Sequence, residues 1–324
     1  MINISNLSKS FEGHKALDGF NLNINLGSIY GLVGVNGSGK TTAIKHLAGI
    51  YRQDAGTVTI NGQQVYDNTA LKSKIGYIPD ELYFFAGYNL KMLSRFYRNM
   101  YKTWSDSHYR KLVDLLQLDE NRRVNRFSKG MQKQAAFALT LAAMPEVLLL
   151  DEPIDGLDPL IRKEIFRQLI QDVADRSMTV LISSHNLKEM DDICDAVGII
   201  KNGKMAVERD LDELKTDIHK VQVAFNPENG GLESTAGLEI LHREHRGAVE
   251  QLIIRAKEEE VAAKIKALSP LIYDHLPLTL EEIFTYENTA DEPRRGGILP
   301  PADCHHPQPS GQQTTAPTQK GAPQ

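Results

Sequence analysis

The sequence predicts an α/β fold built on a mostly parallel sheet, with a helical insertion, a small α+β C-terminal domain and a disordered tail. Three observations carry that expectation. Ser28-Ile-Tyr-Gly-Leu-Val33, Val147-Leu-Leu-Leu150 and Thr179-Val-Leu-Ile182 are short apolar runs that each end in a polar or glycine-rich turn. Runs of this kind suit strands buried on both faces of a parallel sheet. Between the last two, Ile161, Ile165, Phe166, Leu169, Ile170 and Val173 recur at helical spacing, which buries one stripe of a helix. A glycine-rich turn follows the first run and opens a further helix, as in a strand–turn–helix unit.

Along the chain, residues 83–144 depart from the alternation. They carry three helical patterns and no strand pattern, and read as a helical insertion in the α/β core. Cys194 falls in a predicted helix ahead of Val197-Gly-Ile-Ile200 and serves packing. The character changes near residue 216. Val221-Gln-Val-Ala-Phe225, Leu252-Ile-Ile254 and Leu271-Ile-Tyr273 read as strands, with a helix over 258–268. A last helix starts at Thr279, where Thr279-Leu-Glu-Glu282 forms a capping box. Residues 288–324 hold seven of the 14 prolines and only Ile298 and Leu299 as large aliphatics, too little to offset ordering entropy. The expected boundaries are therefore 1–215, 216–287 and 288–324, with the helical subdomain at about 83–145.

Composition narrows the class. The 324 residues include 41% hydrophobic residues, enough for a core. With 37 basic and 42 acidic side chains the net charge is −5, which argues against a partner made of nucleic acid. Two cysteines, Cys194 and Cys304, cannot build a disulfide framework and point to a reducing compartment. Cys304-His305-His306 does not supply a closed metal shell, so no metal is assigned there. The opening residues 1–15 have no apolar h-region, so no signal peptide is expected. The longest stretch of apolar or small residues, 135–144, falls short of the ~18 that span a bilayer, so the chain alone is expected to be soluble.

The chemistry is concentrated in a few motifs. Gly34-Val-Asn36-Gly37-Ser38-Gly39-Lys40-Thr41 fits G-x-x-x-x-G-K-[ST] in its required strand–turn–helix context. Glycines let successive amides face phosphates, Lys40 reaches the β- and γ-phosphates, and the Thr41 hydroxyl can hold Mg²⁺. Val147-Leu-Leu-Leu-Asp151-Glu152-Pro153 ends a buried strand in two carboxylates, at the strand end where ligands bind in open α/β sheets. Asp151 is placed to support Mg²⁺, and Glu152 to deprotonate an attacking water, a contribution of ~10²–10⁴-fold in rate. Phe127-Ser128-Lys129-Gly130-Met131-Gln132 opens a helix with a hydroxyl and exposed amides. Taken alone it is a plain N-cap; 23 residues before Asp151 it is a candidate anion site.

Together these motifs resemble the ATP-binding subunits of ABC transporters, over residues 1 to about 215. In that resemblance residues 34–41 are Walker A, 148–152 are Walker B with its catalytic glutamate, and 127–131 are the signature stretch. Asp155-Gly-Leu-Asp158 matches the D-loop and His185 the switch histidine. Ile75-Gly-Tyr-Ile-Pro79-Asp80 matches the Q-loop, and Phe11 falls where the family stacks an aromatic on adenine. The resemblance implies a P-loop NTPase fold, ATP held by Asn36, Gly37, Ser38, Gly39, Lys40, Thr41 and Thr42, and catalysis by Glu152, His185 and Asp80. It further implies a head-to-tail dimer, homodimeric or with a paralogue, in which Ser128, Gly130 and Asp158 meet the nucleotide of the other chain. The partner would be an integral-membrane permease, with the chain cytoplasmic and peripheral on the inner face of the membrane.

Two departures stand out. Asp80, followed by Glu81, replaces the usual Q-loop glutamine; a carboxylate there binds Mg²⁺ more strongly but donates no hydrogen bond. Thr41, Asp80 and Asp151 are accordingly the expected metal ligands. Lys129 and Met131 replace a glycine and a glutamine in the signature. This S-K-G-M pattern, with Leu278-Thr-Leu-Glu-Glu-Ile-Phe284 near the end, is similar to the acetoin-utilisation or Ytr-type branch, thought to energise exporter-like permeases. Tyr83, Phe84, Phe85 and Tyr88 form an aromatic cluster suited either to core or to permease docking. The alternative reading is a soluble ABC-type ATPase or an ATP-dependent regulatory module; one Walker A, an acidic charge and Glu152 argue against it.

Overall fold

The computed structural model describes residues 2–211, 213, 218–224, 238–247, 249–279 and 281–283. The expected tail, 288–324, lies outside them, as do Phe225 and the end of the helix expected from Thr279. Three sheets organise these residues. The first is antiparallel, in the order β2-β1-β4-β5, from β1 (Ile2–Phe11), β2 (His14–Ile24), β4 (Ala55–Ile60) and β5 (Gln63–Gln64). The second has six strands in the order β10-β9-β3-β8-β7-β6. Its members are β3 (Ile29–Val33), β6 (Ile75–Ile78), β7 (Val147–Asp151), β8 (Thr179–Ser184), β9 (Ala196–Lys201) and β10 (Lys204–Asp210). All its pairings are parallel except the β9–β10 hairpin at one edge.

The central strands β3, β7 and β8 are buried at every position, as their apolar runs require. Alternate side chains of β7 serve different layers. Val147 and Leu149 face a core shared with the first sheet and with α1 (Lys40–Leu47), where Phe20, Ile44 and Leu47 are sealed. Leu148 and Leu150 face the other layer, which holds α3 (Leu90–Met100), α4 (Asp106–Leu115), α5 (Lys129–Ala142) and α6 (Pro159–Arg176). The three helices of the 83–144 stretch thus pack onto the same apolar layer as the sheet, through Leu93, Leu112 and Phe137. A short helix, α2 (Thr69–Lys72), precedes β6.

Caps fix where the helices begin. Asn89 and Ser105 accept from the amides of Met92 and His108, and Asp158 accepts from Leu160 with Pro159 in the first turn. A buried carboxylate ties α6 to α4: Asp172 accepts from Gln168 at 2.8 Å and lies 3.1 Å from Arg176 and 3.3 Å from His108. Burial pushes its pKa upward, and His108 and Arg176 outweigh that to hold it below the ordinary carboxylate value.

The third sheet is antiparallel, β12-β13-β11-β14, from β11 (Ile218–Ala224), β12 (Glu239–Arg246), β13 (Val249–Arg255) and β14 (Ile272–Leu276). Val221, Val223, Leu252 and Ile254 pack on α7 (Glu258–Ala267), while Ile218 and Ile253 join the layer containing Leu211 and Ile283. The predicted capping box forms: the Thr279 amide donates to Glu282 and the Glu282 amide donates to the Thr279 hydroxyl. Cys194 lies in the irregular segment after the 3-10 turn Leu187–Glu189 and the turn that follows it, not in a helix; its amide donates to the Met190 carbonyl and its thiol rests on the Met190 sulfur. No described helix is long and apolar enough to cross a membrane.

Candidate active site

The glycine-rich loop joins the carboxyl end of β3 to α1, and its neighbours explain its glycines. A Cβ on Gly34 would meet the Ile200 carbonyl and the Ser38 hydroxyl at 2.6 Å. Gly39 has a φ of +116°, and a Cβ there would meet the Ala16 carbonyl at 2.8 Å. The loop is pinned from both sides, by the Gly34 amide on Ser184 and the Gly203 amide on the Ser38 carbonyl. Asn36 and Gly37 form its exposed tip, and Thr42 begins to turn inward on α1, its carbonyl 2.7 Å from His46 Nδ1.

Lys40 is buried beneath this loop. Its ammonium donates to the Gly34 carbonyl at 2.6 Å and stands 3.1 Å from Glu152 Oε1. The next residue, Thr41, donates its hydroxyl to Asp151 Oδ1 at 3.1 Å, across 110 positions of sequence. Ser183, at the end of β8, donates to the same oxygen at 2.7 Å and accepts from the Glu152 amide at 3.1 Å. Strands β3, β7 and β8 are neighbours in register, so their carboxyl ends bring loop, carboxylates and β8 hydroxyl to one place.

Glu152 stands at the centre. Its backbone is left-handed, φ +45°, a conformation that costs a residue with a Cβ roughly 1–2 kcal/mol. Its second carboxylate oxygen lies 3.0 Å from His185 Nδ1 and accepts the His185 amide at 3.3 Å. That hydrogen bond and the carboxylate's charge raise the His185 pKa, with exposure leaving little desolvation to oppose them. Glu152, Asp155 and His185 have ligand atoms within 4.8 Å of one another.

The residues fit a Mg²⁺–ATP pair. Thr41 and Asp151 present hard oxygen donors to each other beside the loop, the donor type Mg²⁺ takes. The Ser38 hydroxyl is buried under the loop without a protein partner, as a phosphate contact would require.

The other expected residues lie further out. Ser128 caps α5, accepting from Met131 at 3.2 Å. A Cβ on Gly130 would lie 2.7 Å from the Gly156 carbonyl, so the close approach of α5 to the 155–158 loop requires this glycine. Asp158 caps α6. Phe11, at the end of β1, meets Tyr51 edge to face at 5.2 Å with Lys9 over its ring. Asp80 is set against a cation that the sequence did not flag: Lys133 lies 3.8 Å away. Burial raises the Asp80 pKa, Lys133 opposes this, and Asp151, Asp155 and Glu152 add to the rise. Lys133, Ser183 and Tyr51 are neighbours that sequence reasoning missed. Lys133 shares a helical face with the buried Phe137 and Thr140, the one pattern that marks it as inward.

Known proteins share this chain's sequence and fold. The family described as ABC transporter matches residues 17–155. The chain is 31% identical over 284 residues to the ABC transporter ATP-binding protein YtrB of Bacillus subtilis, covering 88% of this chain and 97% of that one. It is 29% identical over 294 residues to Nod factor export ATP-binding protein I of Burkholderia lata, covering 87% and 95%. Among solved structures, the ATP-binding subunit of an ABC transporter superposes with a TM-score of 0.61 at 25% identity, over 66% of this chain and 92% of that one. The chain belongs to the ABC transporter family, as an ATP-binding, ATP-hydrolysing subunit that energises a membrane permease.

Proposed function

We propose that this chain hydrolyses Mg²⁺–ATP with Glu152 as general base, in a head-to-tail dimer that drives an exporter-type permease. The observation that supports it most is the joining of Lys40 to Glu152 and of Thr41 to Asp151, both at 3.1 Å, by strand ends far apart in sequence. Lys40 binds the β- and γ-phosphates, Ser38 and the loop amides orient them, and Thr41 with Asp151 holds Mg²⁺. Mg²⁺ held there by Thr41 and Asp151 would supply positive charge against the charge that builds up on the phosphates. Glu152 takes the proton of the attacking water through a carboxylate oxygen, and His185 keeps that carboxylate oriented through Nδ1. Phe11, packed on Tyr51, offers its ring to stack on the adenine.

Ser128, Gly130 and Asp158 lie at starts of helices or beside them, where amides and hydroxyls suit phosphate recognition across a dimer. Export is the direction supported by kinship with the Nod factor export subunit. Docking to the permease falls to a groove of about 210 Å³ beside the helical segment, lined by Leu82, Tyr83, Phe84, Phe85 and Phe96. Tyr83 is 93% exposed and Phe85 half exposed, which suits an aromatic contact for a partner helix. Residues 1–215 are then the ATPase domain and 216–287 a small α+β C-terminal domain, with the chain on the cytoplasmic face of the membrane.

The test is affinity capture of the full chain from detergent-solubilised membranes, with the bound subunits identified by mass spectrometry. A polytopic membrane protein is expected with the wild-type chain and is lost with Tyr83→Asp, while ATP binding stays intact. Capture of no membrane subunit, or equal capture by the variant, would overturn the coupling or the docking surface respectively.

A further inference from the structure

Lys133 occupies an unusual position for a lysine. It lies on α5, one turn after the Ser128 cap, and the helix is buried from this residue to its end at Ala142. Only 7% of the residue is exposed, and its ammonium donates to the main-chain carbonyl of Glu152 at 2.7 Å. A buried ammonium is costly unless it is paired and hydrogen-bonded, and a fixed lysine stem gives up rotamer freedom. The pairing is supplied by Asp80, 3.8 Å away and more than half exposed on the loop that leaves β6.

The carbonyl that Lys133 holds belongs to the residue with the left-handed backbone. Such a conformation persists only where its surroundings over-determine it. For Glu152 the restraints are countable: Ser183 holds its amide, Lys133 holds its carbonyl, and Lys40 with His185 holds its carboxylate. Of the two main-chain restraints, Lys133 is the one that comes from a different layer of the fold, through the helix that begins with the signature stretch.

We propose that Lys133 is a positioning residue for Glu152: its ammonium fixes the Glu152 peptide so that the carboxylate is aimed at the nucleotide, and Asp80 is the counter-charge that keeps that ammonium in place. The proposal rests on Glu152 being the general base. It gives Asp80 a role against a lysine rather than against a metal ion. It also places one contact chain between the loop that leads to the aromatic groove and the catalytic carboxylate, running Asp80, Lys133, Glu152.

The test is steady-state ATP hydrolysis by the full chain with Mg²⁺, comparing Lys133→Met, Lys133→Arg and Asp80→Asn. Lys133→Met keeps the apolar stem and removes the charge; kcat falls about 10–100-fold, the scale of a misplaced reacting group, while KM for ATP changes less than about twofold. Lys133→Arg, which keeps charge and donors, restores at least about a third of the wild-type kcat. Asp80→Asn lowers kcat in the wild-type chain and has no further effect in Lys133→Met, because the two act in series. The decisive arm uses Glu152→Gln: adding Lys133→Met to it leaves the residual rate unchanged. A Lys133→Met chain with wild-type kcat, or a loss of kcat that adds in full to that of Glu152→Gln, overturns the proposal. A lysine with a merely structural role would lower thermal stability without separating kcat from KM, and that also overturns it. If Glu152→Gln by itself keeps its turnover, the assignment of the base fails instead, a result distinct from any of these.

Discussion

Replacing Glu152 by glutamine should tighten ATP binding, because Glu152 and the γ-phosphate compete for the same cation. Lys40 and Glu152 are nearly excluded from solvent, with 6% and 11% of their side chains exposed, and stand 3.1 Å apart. At an effective dielectric of about 20, two unit charges at that separation attract by about 5 kcal/mol. Desolvation of both groups, several kcal/mol for each ion, cancels most of this. A net preference of about 1–2 kcal/mol remains, which ATP must displace when it takes Lys40. The amide of Glu152→Gln removes that competitor together with its repulsion of the γ-phosphate, so the Kd for ATP should fall about tenfold, one decade per 1.4 kcal/mol. Titration calorimetry on the full chain measures this directly. Adenosine, which has no phosphate to offer Lys40, should bind both proteins equally. An ATP affinity that is unchanged or weaker in Glu152→Gln, or an equal gain for adenosine, would refute the competition.

Other outcomes follow from the same contacts. Lys40→Met should weaken ATP binding at least about tenfold, consistent with loss of a charge-assisted contact, and an unchanged Kd by calorimetry would remove Lys40 from the phosphate site. Asp80→Gln should lower the maximal turnover but leave its Mg²⁺ dependence, scaled to each maximum, the same as the wild type's, since its partner is Lys133; a flattened scaled curve would place Asp80 among the metal ligands. Asp172→Asn should cost about 1–3 kcal/mol in denaturant unfolding at neutral pH, because it removes the buried charge beside Arg176, which among the described residues keeps only its contacts to Pro145 and Met178. Since the folded Asp172 pKa is held below its unfolded value, its stabilisation is present above about pH 4 and is lost as the pH falls through the folded value. The variant should therefore show a shallower loss of stability with acid, and parallel acid limbs would contradict this.

How much of this was legible in the sequence differs by element, for physical reasons. Strands β3, β7 and β8 are buried on both faces and announce themselves as apolar runs. The first sheet is harder to read, because β1 buries Ile2, Ile4 and Leu7 while interrupting its pairing with register shifts. Strand β12, Glu-Ile-Leu-His-Arg-Glu-His-Arg, is an edge strand held by ion pairs such as Arg243–Glu250, and its charge hid it among loops. In the site, Lys40, Thr41, Asp151, Glu152 and His185 converge because each lies at the end of a strand, one residue beyond it, or at the start of the helix that follows. For Lys133 the helical pattern marks an inward position, and its partners show only in three dimensions. A lysine on a helix ordinarily faces water, and only the contact with a carbonyl 19 residues away gives it a purpose.

The most direct test of the account is phosphate release from Mg²⁺–ATP at saturating ATP, by the full wild-type chain and by Glu152→Gln side by side. The account predicts steady turnover by the wild type and a fall of at least about 100-fold in the variant, within the range for loss of a general base. Phosphate release by Glu152→Gln within about threefold of the wild type would contradict the claim that this carboxylate activates the attacking water.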